Sequence, residues 1–329
     1  MRYIRQEIFK EIGKKGQQQL RKSTVAIVGL GALGSNSAEL LARAGIGKLL
    51  LIDRDIVELS NLQRQSLFEE NDIGKPKASQ SKEYLKKINS DIKIEFFVDD
   101  LNFENIGTIL NEKNKIDLIL DCTDNLETRF LINDFCVKNK ISFIYSSAVG
   151  SKGYIFNVIQ KKTACLKCFL KEAAQLDTCE TAGVLNTITN LISSIQANEA
   201  IKIILGKNFE KKLLFFDVWI NELLKIKVNK NKGCVCCVKN NFEYLSGKKS
   251  SKMIKLCGDG IYQIKAKKTI DKKQFNNLKN NLKKIGKVID FGYCINFNNK
   301  ITIFNDGRAL IKAKDEKEAK SLYSKFVGN

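Results

Sequence analysis

The chain of 329 residues contains no histidine, one proline, one tryptophan and two methionines. Without imidazole it lacks the usual general base near neutral pH, and every mixed Cys/His metal site is excluded. Its chemistry must run on carboxylates, amines, guanidinium groups, amides and thiols. The single proline, Pro76, stands in "GKPKAS", where it fixes its own φ and biases Lys75 toward extended backbone. No run of about eighteen apolar residues occurs, so no conventional membrane-spanning helix is expected. The N-terminal "MRYIRQEIFKEIGKKGQQQL" lacks the apolar core and small-residue cleavage site of a signal peptide, and the expected compartment is the cytoplasm.

What is present describes an ordinary globular protein. A composition of 43% hydrophobic and 28% charged residues suffices for one large domain and a smaller one. The net charge of +20 arises from lysines spread among Asn and Ile rather than gathered in a stripe. That distribution reads first as compositional drift, second as a surface for an acidic protein partner, and last as a nucleic-acid site. In a reducing compartment the ten cysteines point to metal binding or catalysis rather than to disulfides.

The apolar run "TVAIVGL" at 24–30, the helical face of Ala38, Leu41 and Ala42, and "KLLLID" make a βαβ unit. Farther on, "KIDLILDCTDN" predicts a strand ending in a polar cluster, "LETRFLINDFCVKN" a helix and "ISFIYSSAV" another strand. A long helix over "AGVLNTITNLISSIQANEAIKIILG" and a hairpin turning near Trp219 to Glu222 follow. This is the pattern of a doubly wound, Rossmann-like mixed α/β sheet with helices on both faces. The polar, lysine-rich "CCVKNNFEYLSGKKSSK" marks a boundary, with one domain over 1–240 and a small α+β module over 251–329. In that module Phe275, Leu278, Leu282 and Ile285 lie on one helical face, and Asn305-Asp306-Gly307 make a hairpin tip. Asp315 with Glu318 starts a last helix.

Gly29, Gly31 and Gly34 fit G-x-G-x-x-G between a strand and a helix, where backbone N–H groups and the helix N-terminus hold phosphate. Asp53 closes the second strand and suits the ribose of either NAD or ATP. Arg64, with Lys75 and Lys77 around Pro76, brings more positive charge than a pyrophosphate bridge requires, and suits a triphosphate. Asp121 and Asp124 end another strand, where a carboxylate can hold Mg²⁺; Asp124 is equally placed to cap the helix that follows. Cys165 and Cys168 form one C-x-x-C. Cys234 and Cys237 form a second, starting 66 positions after Cys168. Four such thiolates suit a closed, structural tetrahedral Zn²⁺ site, with Cys236 leaving the membership of "CVCC" open. Cys122, Cys136, Cys257 and Cys294 lie in apolar segments and are expected in the core.

Taken in order, "RYIRQ", "GLGALGS", "DRDIVELSNLQRQ", "GKPKA", "DCTDN", "CLKC", "CETAGV" and "GCVCC" resemble the ThiF/MoeB/HesA adenylyltransferases, relatives of ubiquitin-activating enzyme, over roughly residues 1–240. Ala32 departs from the glycine that many relatives carry in "GxGGLG". The resemblance implies ATP-dependent adenylation of the C-terminal glycine of a ubiquitin-like sulfur carrier ending in Gly-Gly, of molybdopterin, thiazole or protein-modifying type, with a sulfur donor as a further partner. It implies nucleotide contacts from Gly29, Gly31, Gly34, Asp53, Asn61, Arg64, Lys77 and Asp124, and places Gln65 in the same strip without a role. Arg5 matches an arginine contributed by the partner subunit of a homodimer, and Cys179 a cysteine some relatives use covalently. Cys234 and Cys237 are favoured over Cys236 as ligands. The other readings are an ATP-dependent tRNA-modifying relative and an NAD-dependent oxidoreductase. The second leaves Arg64, Lys77 and the cysteine set unexplained.

Overall fold

The computed structural model describes residues 2–111, 114–171, 182–249, 260–264 and 270–328, and the backbone of 253–255. The chain divides into two units. One comprises residues 1–73 and 77–250, the other residues 251–329 together with 74–76. Among the described residues no helix is long and apolar enough to cross a membrane.

The first unit is a mixed α/β sheet of eight strands in the order β3-β2-β1-β4-β5-β6-β7-β8. Its parallel part consists of β1 (Thr24–Val28), β2 (Lys48–Asp53), β3 (Lys93–Val98), β4 (Leu118–Asp121) and β5 (Ser142–Val149). β6 (Lys152–Val158), β7 (Leu213–Asp217) and β8 (Glu222–Ile226) continue it antiparallel. Alternate residues of the central strands enter two separate cores. Val25, Ile27, Leu49, Leu51 and Leu120 pack with α3 (Ala32–Ala44), α4 (Lys77–Ile88) and α7 (Asn186–Ile204). Ala26, Val28, Leu50, Ile52 and Ile119 pack with α5 (Ile106–Ile109) and α6 (Leu126–Asn139). Because both faces are covered, these strands are apolar throughout rather than alternating, which explains runs such as "TVAIV".

The chain leaves β1 toward β2 on one side and later returns to β4 on the other. The strand order therefore reverses at β1, and the crevice for a ligand opens beyond the carboxyl ends of β1, β2 and β4. Two short elements, α1 (Ile4–Ile8) and α2 (Gly13–Lys22), precede the sheet. The predicted hairpin is β7 and β8, and Trp219 in its turn is 77% exposed.

The second unit has β9 (Met253–Lys255), β10 (Ile261–Ile264), β11 (Val288–Asp290), β12 (Cys294–Phe297), β13 (Ile301–Phe304) and β14 (Ala309–Lys312). They form an antiparallel sheet in the order β11-β12-β13-β14-β10-β9 with two helices, α8 (Lys272–Lys283) and α9 (Glu316–Phe326). Phe275 and Leu282 are buried against its strands, and Leu278 packs beside them. Ile285 does not join them: α8 ends at Lys283, the chain turns toward Gly286, and Ile285 is 63% exposed. The hairpin tip places Gly307 at φ +87. Asp315 caps α9 by accepting the N–H of Glu318 at 2.8 Å.

Candidate functional site

Three glycines shape the turn from β1 into α3, each for its own reason. Gly29 has φ +87, and a Cβ there would lie 2.7 Å from the carbonyl oxygen of Cys122. A Cβ on Gly34 would stand 1.8 Å from the carbonyl of Gly29, so close helix–strand packing requires glycine. At Gly31 the space is open, with Gln65 Nε2 alone among the described residues within 4 Å of a Cβ placed there, at 3.8 Å. That opening lets a ligand approach the backbone at the N-terminus of α3, which no side chain caps. Ala32 begins the helix itself, away from the positive-φ positions, so its methyl leaves the loop intact.

Asp53 braces this loop from β2. Its Oδ2 accepts the N–H of Leu30 at 2.5 Å and its Oδ1 the N–H of Asp55 at 2.6 Å. Burial, and then the charge of Asp55, push its carboxyl up to about 6 against the opposing pull of Lys77. Around it runs a chain of charges. Lys77 Nζ lies 3.7 Å from Asp55 Oδ2, and Arg54 reaches Asp55 Oδ1 at 3.8 Å and Asp100 Oδ1 at 3.0 Å. Lys77 opens α4, and its N–H donates to the carbonyl of Asp55 at 3.0 Å, which fixes where the buried ammonium emerges. Lys75 is half-buried just before it.

On the turn after β2, Arg64 is half-buried and donates from NH1 to the carbonyl of Ser60 at 2.9 Å. Asn61 is buried and its Oδ1 accepts the N–H of Glu58 at 3.3 Å, closing the helical turn Leu59–Asn61. Gln65 is buried beside it.

The two carboxylates after β4 behave differently from one another. Asp121 is wholly buried, and its Oδ1 accepts the N–H of Thr123 at 3.1 Å and its hydroxyl at 2.7 Å. Burial raises its carboxyl, opposed by Arg129, and its bonds to Thr123 shape the loop from beneath. Asp124 is exposed and close enough to add to the field on Arg54. The cap of α6 is the next residue, Asn125, whose side chain accepts the N–H of Thr128 at 2.8 Å. Arg129, a residue the sequence reading passed over, ties α6 to this loop through the carbonyl of Thr123 at 3.2 Å and lies over the Tyr145 ring. Arg5 is exposed on α1. Cys179 and Cys257 fall outside the described residues, while Cys122, Cys136 and Cys294 are buried as expected.

A second centre lies where α6 meets the end of the sheet. The sulfurs of Cys165, Cys168, Cys234 and Cys237 all lie within 4.8 Å of one another. Neighbouring pairs stand 3.8, 3.6 and 3.6 Å apart. Metal–sulfur bonds of about 2.3 Å in a tetrahedron put sulfurs about 3.8 Å apart, so the set fits a four-thiolate metal ion. As free thiols two of them resist ionisation: the hydrogen bond with Cys165 and burial push Cys168 up to about 12, and burial takes Cys237 up to about 11. A cation would offset that cost. Cys236 stands outside the set, its sulfur accepting from Asn133 Nδ2 at 3.3 Å, while Asn133 Oδ1 accepts the N–H of Leu166 at 2.9 Å.

A glycine loop over a helix N-terminus, an acid at the end of the second strand, and the switch point between them define a nucleotide-binding α/β protein. Residues 3–236 match the ThiF family, and the chain belongs to it. The sulfur carrier protein ThiS adenylyltransferase of Bacillus subtilis (strain 168) is 38% identical over 338 residues, covering 99% of this chain and 99% of its own. The molybdopterin-synthase adenylyltransferase of Escherichia coli (strain K12) is 35% identical, covering 72% of this chain and 96% of its own. In fold the chain is similar to the crystal structure of E. coli MccB with MccA-N7isoASN, at a TM-score of 0.64 and 23% identity over 72% of this chain and 75% of that one.

Proposed function

We propose that the protein is an ATP-dependent adenylyltransferase that activates the C-terminal glycine of a ubiquitin-like sulfur carrier, of the thiazole-branch type. The observation that carries this reading is the convergence of the open Gly31 backbone, Asp53 and Lys77 at one crevice, with Arg64 and Asp124 on the turns beside it. The end-to-end likeness to the Bacillus relative, second unit included, supports the choice of carrier.

In this reading Gly29, Gly31 and Gly34 cradle the phosphates, Asp53 accepts from the ribose, and Asn61, Arg64 and Lys77 surround the triphosphate. Lys77 exchanges its loose pairing with Asp55 for phosphate oxygens. The carrier carboxylate attacks the α-phosphate, an acyl-phosphate bond forms, the α–β bridge breaks and pyrophosphate leaves with its electron pair. No proton moves, so a protein without histidine has the groups it needs: the nucleophile is already an anion at neutral pH, and cations must screen its repulsion. Asp124 would hold Mg²⁺, which neutralises charge on the phosphates. The Cys165, Cys168, Cys234 and Cys237 set would hold a structural Zn²⁺. Arg5 would complete the site of a partner subunit in a homodimer, and Cys179 would be a covalent acceptor of the activated carrier. A cytoplasmic location fits the free thiols.

Mg²⁺-dependent ATP–pyrophosphate exchange tests the proposal directly. Exchange that appears only when a ThiS-type carrier ending in Gly-Gly is added is the expected result; NAD binding without exchange would overturn it.

A further inference from the structure

Gln65 sits on the turn after β2, between Arg64 and the glycine loop. It is 4% exposed, and its Oε1 has no hydrogen-bond partner among the described residues. Among the described residues its Nε2 is the one group near the open face of Gly31, 3.8 Å from where a Cβ would stand. Backbone bonds fix its place, since its N–H donates to the carbonyl of Asn61 at 3.1 Å and its own carbonyl accepts from Phe68 at 3.2 Å. A buried acceptor left without a donor is expensive, and its persistence beside a ligand crevice calls for a ligand that supplies one.

The ligand's own chemistry narrows the donor. At the second glycine of such a loop the phosphates approach, and phosphate oxygens only accept. They can satisfy the Gln65 amide N–H groups but not Oε1. In the adenylyltransferase reading the ribose hydroxyls donate to Asp53 instead. The other reactant that must reach the α-phosphate is a peptide C-terminus. Its carboxylate also only accepts, but one atom group behind it comes the N–H of the last peptide bond. We propose that Gln65 spans the two reactants: Nε2 donates to the phosphate or carboxylate oxygens, and Oε1 accepts the N–H of the carrier's terminal glycine. Gln65 is thus a substrate-binding residue that selects for a peptide carboxylate over other acids and aligns it for in-line attack. This inference rests on the adenylyltransferase reading.

The test pairs an enzyme variant with an altered carrier in the exchange assay. Gln65→Met keeps the volume and removes both hydrogen bonds. A ThiS-type carrier made with an ester in place of its last amide lacks the N–H, and comparing the two enzymes separates that loss from the ester's weaker carbonyl. The expected result is that the ester lowers kcat/KM about tenfold with the unaltered enzyme and hardly at all with Gln65→Met, whose loss of ATP affinity is smaller than its loss of kcat/KM. Gln65→Glu retains the acceptor, so it should keep the ester penalty while working more slowly through charge repulsion. An equal ester penalty in the unaltered enzyme and Gln65→Met would overturn the role of Gln65. So would a loss of ATP affinity in Gln65→Met matching its loss of kcat/KM, which would make Gln65 a nucleotide contact only. Absence of carrier-dependent exchange in the unaltered enzyme would sink the adenylyltransferase reading itself and this inference with it.

Discussion

Asp53 carries two loads at once. As a brace it holds the glycine loop through Leu30, and as a buried acid it stands beside Asp55, which makes its ionisation costly in the free protein. A carboxyl raised to about 6 from an ordinary value near 3.8 binds its proton more tightly in the folded state than in the unfolded one. Its contribution to stability is therefore fully present below about pH 4 and is lost as pH rises through about 6. Asp53→Asn, which cannot ionise, should flatten that part of the melting-temperature profile between roughly pH 4 and 7. Thermal melts of both proteins across this range measure the difference, and parallel profiles would show that Asp53 ionises as freely in the fold as in an open chain.

At the scale of elements, α6 is where sequence reading did best and worst. Its limits, Leu126 to Asn139, match the segment the periodicity marked, and its neighbours β4 and β5 lie where apolar runs placed them. What the pattern could not reveal is the work of its polar residues. Arg129, Asn133 and Asp134 are buried among the apolar residues in the middle of α6, and polar letters set in an apolar stretch carry no mark of their partners. Two of those partners, Leu166 and Tyr244, come from loops distant in sequence, while Thr123 lies just before the helix. The cap shifted from Asp124 to Asn125 for a related reason, since adjacent residues of equal capping ability are separated only by backbone geometry. The glycine loop and the paired C-x-x-C motifs were legible because spacing itself encodes their geometry. The four-cysteine centre joins Cys165 and Cys168, after β6, to Cys234 and Cys237, after β8. Cys165→Ser should release most of the bound metal and lower the unfolding free energy by more than about 2 kcal/mol. Elemental analysis alongside denaturant unfolding checks this; full metal retention would assign the metal elsewhere.

For the whole molecule, the exposed position of Arg5 on α1 leaves its guanidinium accessible to a second subunit. If Arg5 serves a neighbouring subunit, Arg5→Ala and Lys77→Ala will each be inactive alone. Mixed subunits will restore activity, because one of the two sites in a hybrid dimer then has both residues. A statistical mixture should recover roughly a quarter of full exchange activity. Absence of recovery, with hybrids shown to form, would return Arg5 to its own chain.

The turn between β7 and β8 has a practical consequence. Trp219 is the sole tryptophan of the chain and stands almost fully in water. Indole emission from this protein therefore reports on a single place at the edge of the larger sheet, against a background of tyrosine alone. A partner that covers this turn announces itself by a shift to shorter wavelength without any label, and one that docks elsewhere leaves the spectrum where it was.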